Sequence, residues 1–221
     1  MVAPTIFFVT DIETTLKHRI AFDVAWLAID RKRNIYGKGS FIIKEAFLLD
    51  VPFFKEKLGF YFEDTYARQI KPLSIVDIKS EYNKQVTNLL ALGHKVIFAA
   101  YNASFDAKYL GETTQKLLNE KFLDNTIPML DIWDYWTQSA PKHYAFKTDK
   151  GNPKTSAEMV YRFESQDYGF EERHIAMYDV EIEADVLIKT LARKKKMPLV
   201  THPKDFNGQP WRRLLKYPAF I

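Results

Sequence analysis

Three short motifs hold the residues of this chain that are best suited to chemistry. In sequence order they are Asp11-Ile-Glu13, Asn102-Ala-Ser-Phe-Asp106 and His174-Ile-Ala-Met-Tyr-Asp179. Four converging carboxylates repel one another unless divalent cations lie between them, and oxygen ligands suit Mg²⁺ or Mn²⁺. An imidazole beside them can move a proton at neutral pH. These residue types therefore predict a two-metal site for phosphoryl transfer.

Each motif alone also has a plainer explanation. Asp-x-Glu is expected by chance in a chain of this composition, and Asp179-Val-Glu181 is a second instance. Asp106 could cap the helix that it enters, and His174 could form a surface ion pair with Asp179. Asn-x-x-Phe-Asp is much rarer by chance, and the combination of all three motifs in this order favours one common site.

The first motif ends a predicted strand over Thr5–Asp11, which is rich in β-branched and aromatic residues. Alternate residues of a strand share a face, so Asp11 and Glu13 should lie together while Ile12 turns into the core.

The other two motifs lie at helix starts. Asn102 follows a predicted strand over Lys95–Tyr101, and a helix capped at Ser104 is expected to run to about Asn119 with Asp106 in its first turn. His174 is placed in the turn that enters a helix over about Ile175–Arg193. Asp179 then points inward one turn later. His174 and Asp179 could not share a face if both were helical, because residues five positions apart differ too much in direction around the helix axis.

The remaining pattern predicts an α/β fold. Further strands are expected at Ala21–Ile29, Tyr36–Ile43 and Met129–Ile132, and further helices at Ser74–Leu92 and Ser156–Phe163. The result is a mixed sheet, with three antiparallel strands first and parallel strands after them, flanked by helices. Residues 1–196 form the predicted domain, which includes an aromatic-rich insertion at about 45–70, and residues 197–221 form a basic tail packed on it.

Composition excludes several classes of protein. The 221 residues suit one domain, and the absence of Cys excludes disulfides, zinc ribbons, thiol nucleophiles and iron–sulfur clusters. We find no apolar run of the roughly 20 residues that a membrane helix needs, and no signal peptide. The sequence predicts a soluble, cytoplasmic protein.

Positive charge is concentrated near the carboxyl terminus. Residues 187–221 hold nine Lys or Arg and one acid, whereas the net charge of the whole chain is +4. A basic end on an acidic body is compatible with a polyanionic partner, and equally with a solvated helix end and a packed terminus. A second lysine-rich segment, residues 138–153, is predicted to be an exposed loop that borders a substrate path. The aromatic insertion could stack on bases, although packing beneath a long connection explains it better.

The three motifs, as they stand, resemble those of the DEDDh 3′-to-5′ exonucleases, which have a ribonuclease H-like fold. Their order and setting span residues 5–193. Ile175 stands where the tyrosine branch of these enzymes would have Tyr, so the histidine branch fits.

The resemblance implies a role for each acidic residue. Asp11 would bridge two Mg²⁺ or Mn²⁺ ions, with Glu13 and Asp179 completing the first site and Asp106 serving the second through water. His174 would take the proton from the attacking water.

The resemblance also implies how the substrate binds. Thr14, Thr15 and Leu16 would face the terminal nucleotide, with Leu16 as a wedge against its base. Asn102 and Phe105 are the other residues expected to bind the substrate. Two departures affect the terminal-nucleotide pocket: Leu16 replaces a Gly that many relatives have, and Tyr101 replaces a His.

The implied activity is hydrolysis of single-stranded nucleic acid from its 3′ end, with release of nucleoside 5′-monophosphates. DNA is slightly favoured over RNA. The sequence leaves open an exoribonuclease, a nucleic-acid-binding module on the same fold, and a proofreading subunit of a polymerase or replication partner. A homodimer is also compatible with it.

Overall fold

A six-stranded mixed sheet forms the centre of the structure. The computed structural model describes residues 3–15, 18–49, 71–123 and 127–216. Within these ranges the strand order is β4-β3-β2-β1-β5-β6. The strands are β1 (Thr5–Thr14), β2 (Ala21–Asp30), β3 (Ile35–Ile43), β4 (Lys71–Leu73), β5 (Lys95–Ala100) and β6 (Met129–Asp131).

Strand directions confirm the predicted fold class. β1 and β2 are antiparallel, as are β2 and β3, whereas β5 runs parallel to β1 and β6 runs parallel to β5. The short strand β4, which the sequence pattern did not predict, pairs in parallel with β3. Because β1 lies between β2 and β5, its carboxyl end opens at the middle of the sheet.

Helices cover both faces of the sheet. They are α1 (Lys44–Leu49), α2 (Ile75–Ala91), α3 (Ala103–Leu118), α4 (Ile132–Thr137), α5 (Ala157–Ser165) and α6 (Ala176–Arg193), followed by short 3₁₀ turns at Pro203–Asp205 and Pro210–Lys216. The long helices α2, α3 and α6 agree with the predicted segments. The six-residue helices α1 and α4 were missed, because one and a half turns are too short to show a helical period.

Two apolar layers follow from the alternation of side chains along β1. Ile6 and Phe8 belong to the core on one face of the sheet, where Tyr82 of α2 packs edge-on against the Phe8 ring. Phe7 and Val9 belong to the core on the other face, with the apolar side of α6. Asp11 and Glu13 continue the second set, so strand geometry directs them toward the face that α6 covers.

The segment after α6 contacts β6 and α4. Val200 forms an antiparallel bridge with Met129 of β6, and the Arg213 guanidinium forms an ion pair with Asp134 of α4. Leu16 and residues 50–70, which hold most of the predicted aromatic insertion, lie outside the described residues.

None of the described helices combines the length and the apolar character required to cross a membrane.

Candidate active site

The carboxyl end of β1 carries the first two acidic residues. Ile12 is 4% exposed and belongs to the core, so Asp11 and Glu13 lie together on the opposite face of the strand. The pairing with β2 shifts register between Glu13 and Thr14, which marks a bulge where the strand leaves the sheet. Both carboxylates are partly exposed. The local geometry is the one that the strand period predicted.

Asp106 is held beside β1 from the first turn of α3. Its side chain is 1% exposed, and its carboxylate accepts hydrogen bonds from its own backbone N–H and from that of Ile12. The predicted cap at Ser104 is wrong. The residue before the helix is Asn102, which has a φ of 63° in the tight turn out of β5. Asn adopts this left-handed conformation more readily than most residues. The Ser104 hydroxyl instead donates to the Asn102 side chain at 3.0 Å.

His174 and Asp179 lie at the start of α6. Asp179, in the first helical turn, is 5% exposed, whereas the His174 side chain is 65% exposed. His174 has a φ of 51°, a left-handed turn that precedes the helix. Its Nδ1 lies 4.0 Å from Glu13 Oε1 and 4.0 Å from Glu172 Oε2. The turn therefore brings the third motif to the first.

The start of α6 is fixed by Asp23 of β2. The cap residue Ile175 has no side-chain hydrogen bond of the capping type, and Ala176 N donates to Asp23 Oδ2 at 3.1 Å instead. Asp23 is fully buried and stands opposite Glu13 in the β1–β2 register. One carboxylate thereby ties the helix that carries Asp179 to the sheet that carries Glu13.

The electrostatics show that the predicted carboxylates converge. Burial raises the pKa of Asp11 well above its usual value, and the nearby charges of four carboxylates raise it further: Glu183, Asp106, Asp179 and Glu13. Burial likewise raises the pKa of Asp106, and the charge of Glu13 contributes. Glu13, His174 and Asp179 each place one ligand atom within 4.8 Å of the others, a spacing that suits a metal ion. All five predicted acid and imidazole residues thus lie around the carboxyl end of β1.

Three further acidic residues belong to this region and were not predicted. Glu183 of α6 is 3% exposed and accepts a hydrogen bond from Tyr101 N at 3.1 Å. Glu172 is hydrogen bonded to Asp179, and burial raises its pKa. Asp131 ends β6, and burial raises its pKa to about 7. A signal existed for Glu183, since it follows Asp179 by four residues and shares its helix face.

The residues predicted to bind substrate surround this acidic group unequally. Thr15 is buried, and its hydroxyl oxygen accepts the Ile20 N–H at 3.3 Å, so its side chain shapes the turn after β1. Thr14, Asn102 and Phe105 are partly exposed. The Phe105 ring packs edge-on against Tyr109 with centroids 4.6 Å apart. Phe105 is therefore packed against the core and only partly exposed.

The metal-free protein is expected to lose stability as pH rises. The pKa values of Asp11, Asp106 and Glu183 are raised well above their usual values, and that of Asp131 is raised to about 7. Since carboxyls of the unfolded chain titrate near pH 4, the native state binds more protons than the unfolded state above that pH. The free energy of unfolding should therefore decrease from about pH 4 through pH 7.

Urea unfolding across this pH range, with and without Mg²⁺, measures that loss. At pH 8, a Mg²⁺ concentration about 100 times its Kd should restore about 2.7 kcal/mol. A stability that does not change between pH 5 and pH 8 in chelator would contradict the electrostatic description of the site.

Asp23→Ala is expected to lower the free energy of unfolding by about 1–3 kcal/mol, because the Ala176 N–H loses its buried acceptor. Mn²⁺ binding should weaken as well, since the start of α6 positions Asp179. Asp23→Asn keeps an acceptor oxygen and should lose much less of both. Urea unfolding and calorimetric Mn²⁺ titration provide the measurements; equal behaviour of the two variants would contradict the positioning role.

Comparison with known proteins identifies the fold. No protein-family model matches the chain, and no curated protein matches it in sequence. Solved structures do match. A 3′-exonuclease that recognises the 3′ end of a histone mRNA stem-loop has a TM-score of 0.54 at 11% identity, covering 88% of this chain and 85% of its own. A full-length 3′-exonuclease has a TM-score of 0.55 at 11% identity, covering 89% and 86%.

A third solved structure is E. coli exonuclease I in complex with an oligonucleotide. It has a TM-score of 0.50 at 16% identity, and the match covers 87% of this chain but 41% of that one. At these identities the likeness concerns the fold, and it confirms the predicted ribonuclease H-like architecture.

Proposed function

We propose that this protein is a metal-dependent 3′-to-5′ exonuclease of the DEDDh type. It acts on single-stranded nucleic acid and releases nucleoside 5′-monophosphates. One observation carries the proposal: Glu13 of β1 and His174 and Asp179 at the start of α6 place their ligand atoms within 4.8 Å of one another. The charges of neighbouring carboxylates on β1, α3 and α6 raise the pKa of Asp11 in the same region. The solved structures that share the fold support it, because they are exonucleases.

The donor set fits two Mg²⁺ or Mn²⁺ ions. The carboxylates supply hard oxygen ligands, and their mutual repulsion would be relieved by divalent charge. Asp11 would contact both ions, Glu13 and Asp179 would complete one site, and Asp106 would serve the other through water. When bound, such ions activate a water molecule and stabilise the charge that develops on the phosphate and on the leaving oxygen.

His174 is the proposed general base. Its Nδ1 lies 4.0 Å from carboxylate oxygens of Glu13 and Glu172, and its Nε2 would accept the proton of the attacking water. High exposure of the side chain lets the imidazole reach the substrate from solvent. The neighbours Asp106 and Asp179 are buried and are the proposed metal ligands, so they are not assigned this task.

The proposed substrate is a single strand with a free 3′ end, and DNA is slightly favoured over RNA. Among the structural neighbours, one recognises the 3′ end of an RNA stem-loop and another binds an oligonucleotide. In this chain Thr14, Leu16, Asn102 and Phe105 are the proposed contacts to the terminal nucleotide, with Thr15 shaping their turn. Discrimination between DNA and RNA depends on contacts to the terminal 2′-position.

The test is a nuclease assay with purified protein and Mg²⁺. Single-stranded and duplex DNA and RNA, each labelled at the 5′ end, should be compared in parallel. We expect a ladder that shortens from the 3′ end of single strands, release of nucleoside 5′-monophosphates, and complete loss of activity in excess chelator. Strand binding without metal-dependent shortening would instead indicate a nucleic-acid-binding module.

A further inference from the structure

A lysine-rich hairpin lies beside the acidic site. We call residues 142–154 the basic hairpin. Lys147 and Pro153 form an antiparallel bridge, and Gly151 makes its turn with a φ of 77°. Its lysine side chains are all exposed, and none of them forms an ion pair with another side chain in the described ranges: Lys142, Lys147, Lys150 and Lys154.

The carboxyl end of the basic hairpin is tied to the acidic site through Thr155. The Tyr101 hydroxyl donates to Thr155 O at 2.8 Å, and Trp133 Nε1 donates to Thr155 Oγ1 at 2.9 Å. The Tyr101 and Trp133 rings stack with centroids 6.3 Å apart. Since Tyr101 N also donates to Glu183, one residue links the hairpin to the acidic group.

Aromatic packing holds the other side of the basic hairpin against the domain. The Tyr144 ring packs edge-on against Trp136 and Phe163, with centroids 4.9 Å and 5.0 Å apart. Phe146 packs against Phe163 as well. The segment is therefore anchored at its base and along one side, while its lysines remain in solvent.

The basic region at residues 187–216 differs, because three of its charges are already paired. Lys189 forms an ion pair with Asp185, and Arg193 forms one with Glu164. Arg213 is likewise paired, with a carboxylate of α4. These pairs reduce the positive charge that this region can offer to a polyanion.

We propose that the basic hairpin binds the phosphate backbone of the single strand, upstream of the nucleotide that occupies the acidic site. Four ammonium groups that form no ion pair among the described residues, carried on an anchored segment, match a flexible chain of phosphates, and such contacts are independent of sequence. This inference rests on the proposed function, since it takes the acidic group as the place where the strand ends.

The test compares two double variants with the same change in charge. Lys147→Ala/Lys150→Ala removes two hairpin lysines, and Lys195→Ala/Lys196→Ala, the tail variant, removes two exposed lysines between α6 and the basic tail. Binding of a fluorescently labelled oligothymidylate is measured in chelator, from low to high salt. We expect the hairpin variant to bind on the order of tenfold more weakly and its salt slope to decrease by about 1.4, since each phosphate contact contributes about 0.7. The tail variant should resemble the wild type.

Hydrolysis of the p-nitrophenyl ester of thymidine 5′-monophosphate separates this surface from the chemistry, because that ester has no upstream backbone. The hairpin variant should hydrolyse it at the wild-type rate. If the wild type binds the strand and the hairpin variant binds equally well, or if the tail variant loses as much, the hairpin proposal is overturned while the nuclease stands. If the hairpin variant loses binding but the wild type shows no metal-dependent hydrolysis, strand binding by the hairpin is supported and the proposed nuclease activity is contradicted. If the wild type does not bind the strand, both are overturned.

Discussion

Asp11→Asn should abolish turnover without unfolding the protein. Asp11 lies among the other acidic residues of the site, whose charges raise its pKa. It is the proposed shared ligand of both metal ions, and the substitution removes that ligand. We expect a decrease in rate of roughly 10³-fold or more, the scale seen when a charge-stabilising group is removed from a phosphoryl-transfer site. Steady-state assays on a labelled single strand in Mg²⁺ provide the measurement.

The same variant should be at least as stable as the wild type when metal is absent. Replacing one of several mutually repelling carboxylates by an amide relieves their repulsion, so the free energy of unfolding in chelator should increase or remain the same. Glu181→Gln, at an exposed position on α6, is the matched control and should retain activity. An active Asp11→Asn variant would contradict the proposed site, and an inactive variant that is also unfolded would contradict the expected relief of repulsion.

His174→Ala is expected to reduce the rate on the order of 10²- to 10⁴-fold, the usual contribution of a positioned general base. The exposed imidazole, 4.0 Å from Glu13, lies where it can receive a proton without being buried among the ligands. His202→Ala is the control, because His202 is an exposed histidine outside the site whose Nδ1 accepts a hydrogen bond from Lys204 N.

A second measurement distinguishes a base from a metal ligand, since His174 also lies within ligand spacing of Glu13 and Asp179. For a base, added imidazole should restore part of the lost rate, and the calorimetric Mn²⁺ affinity of His174→Ala should stay near that of the wild type. A large loss of Mn²⁺ affinity without rescue by imidazole would assign His174 as a ligand. A loss of rate below tenfold would place the proton transfer elsewhere.

Sequence periodicity predicted the parts of the site that depend on local geometry. The two-residue period of β1 placed Asp11 and Glu13 on one face, with Ile12 in the core. The expected starts of α3 and α6 likewise placed Asp106 in a first turn and Asp179 one turn after His174, and the structure has both residues in first turns. Such relations involve residues close in the chain, so spacing alone reveals them.

Contacts between distant segments were not predictable in this way. The hydrogen bond from Ala176 to Asp23 joins residues 153 positions apart, and Tyr101 reaches Glu183 across 82 positions. Backbone strain was hidden as well, since the left-handed turns at Asn102 and His174 follow from how strand and helix meet. Glu183 could have been predicted as a site residue, because it follows Asp179 by four residues and such a spacing puts both on one face of a helix.

The most direct test of the two-metal site is a crystal structure of the full chain soaked in Mn²⁺, with anomalous scattering used to locate the metal. We expect two anomalous peaks at the carboxyl end of β1, with the Asp11 carboxylate in contact with both. Peaks away from Asp11, or none in a crystal saturated with Mn²⁺, would contradict the proposed two-metal nuclease.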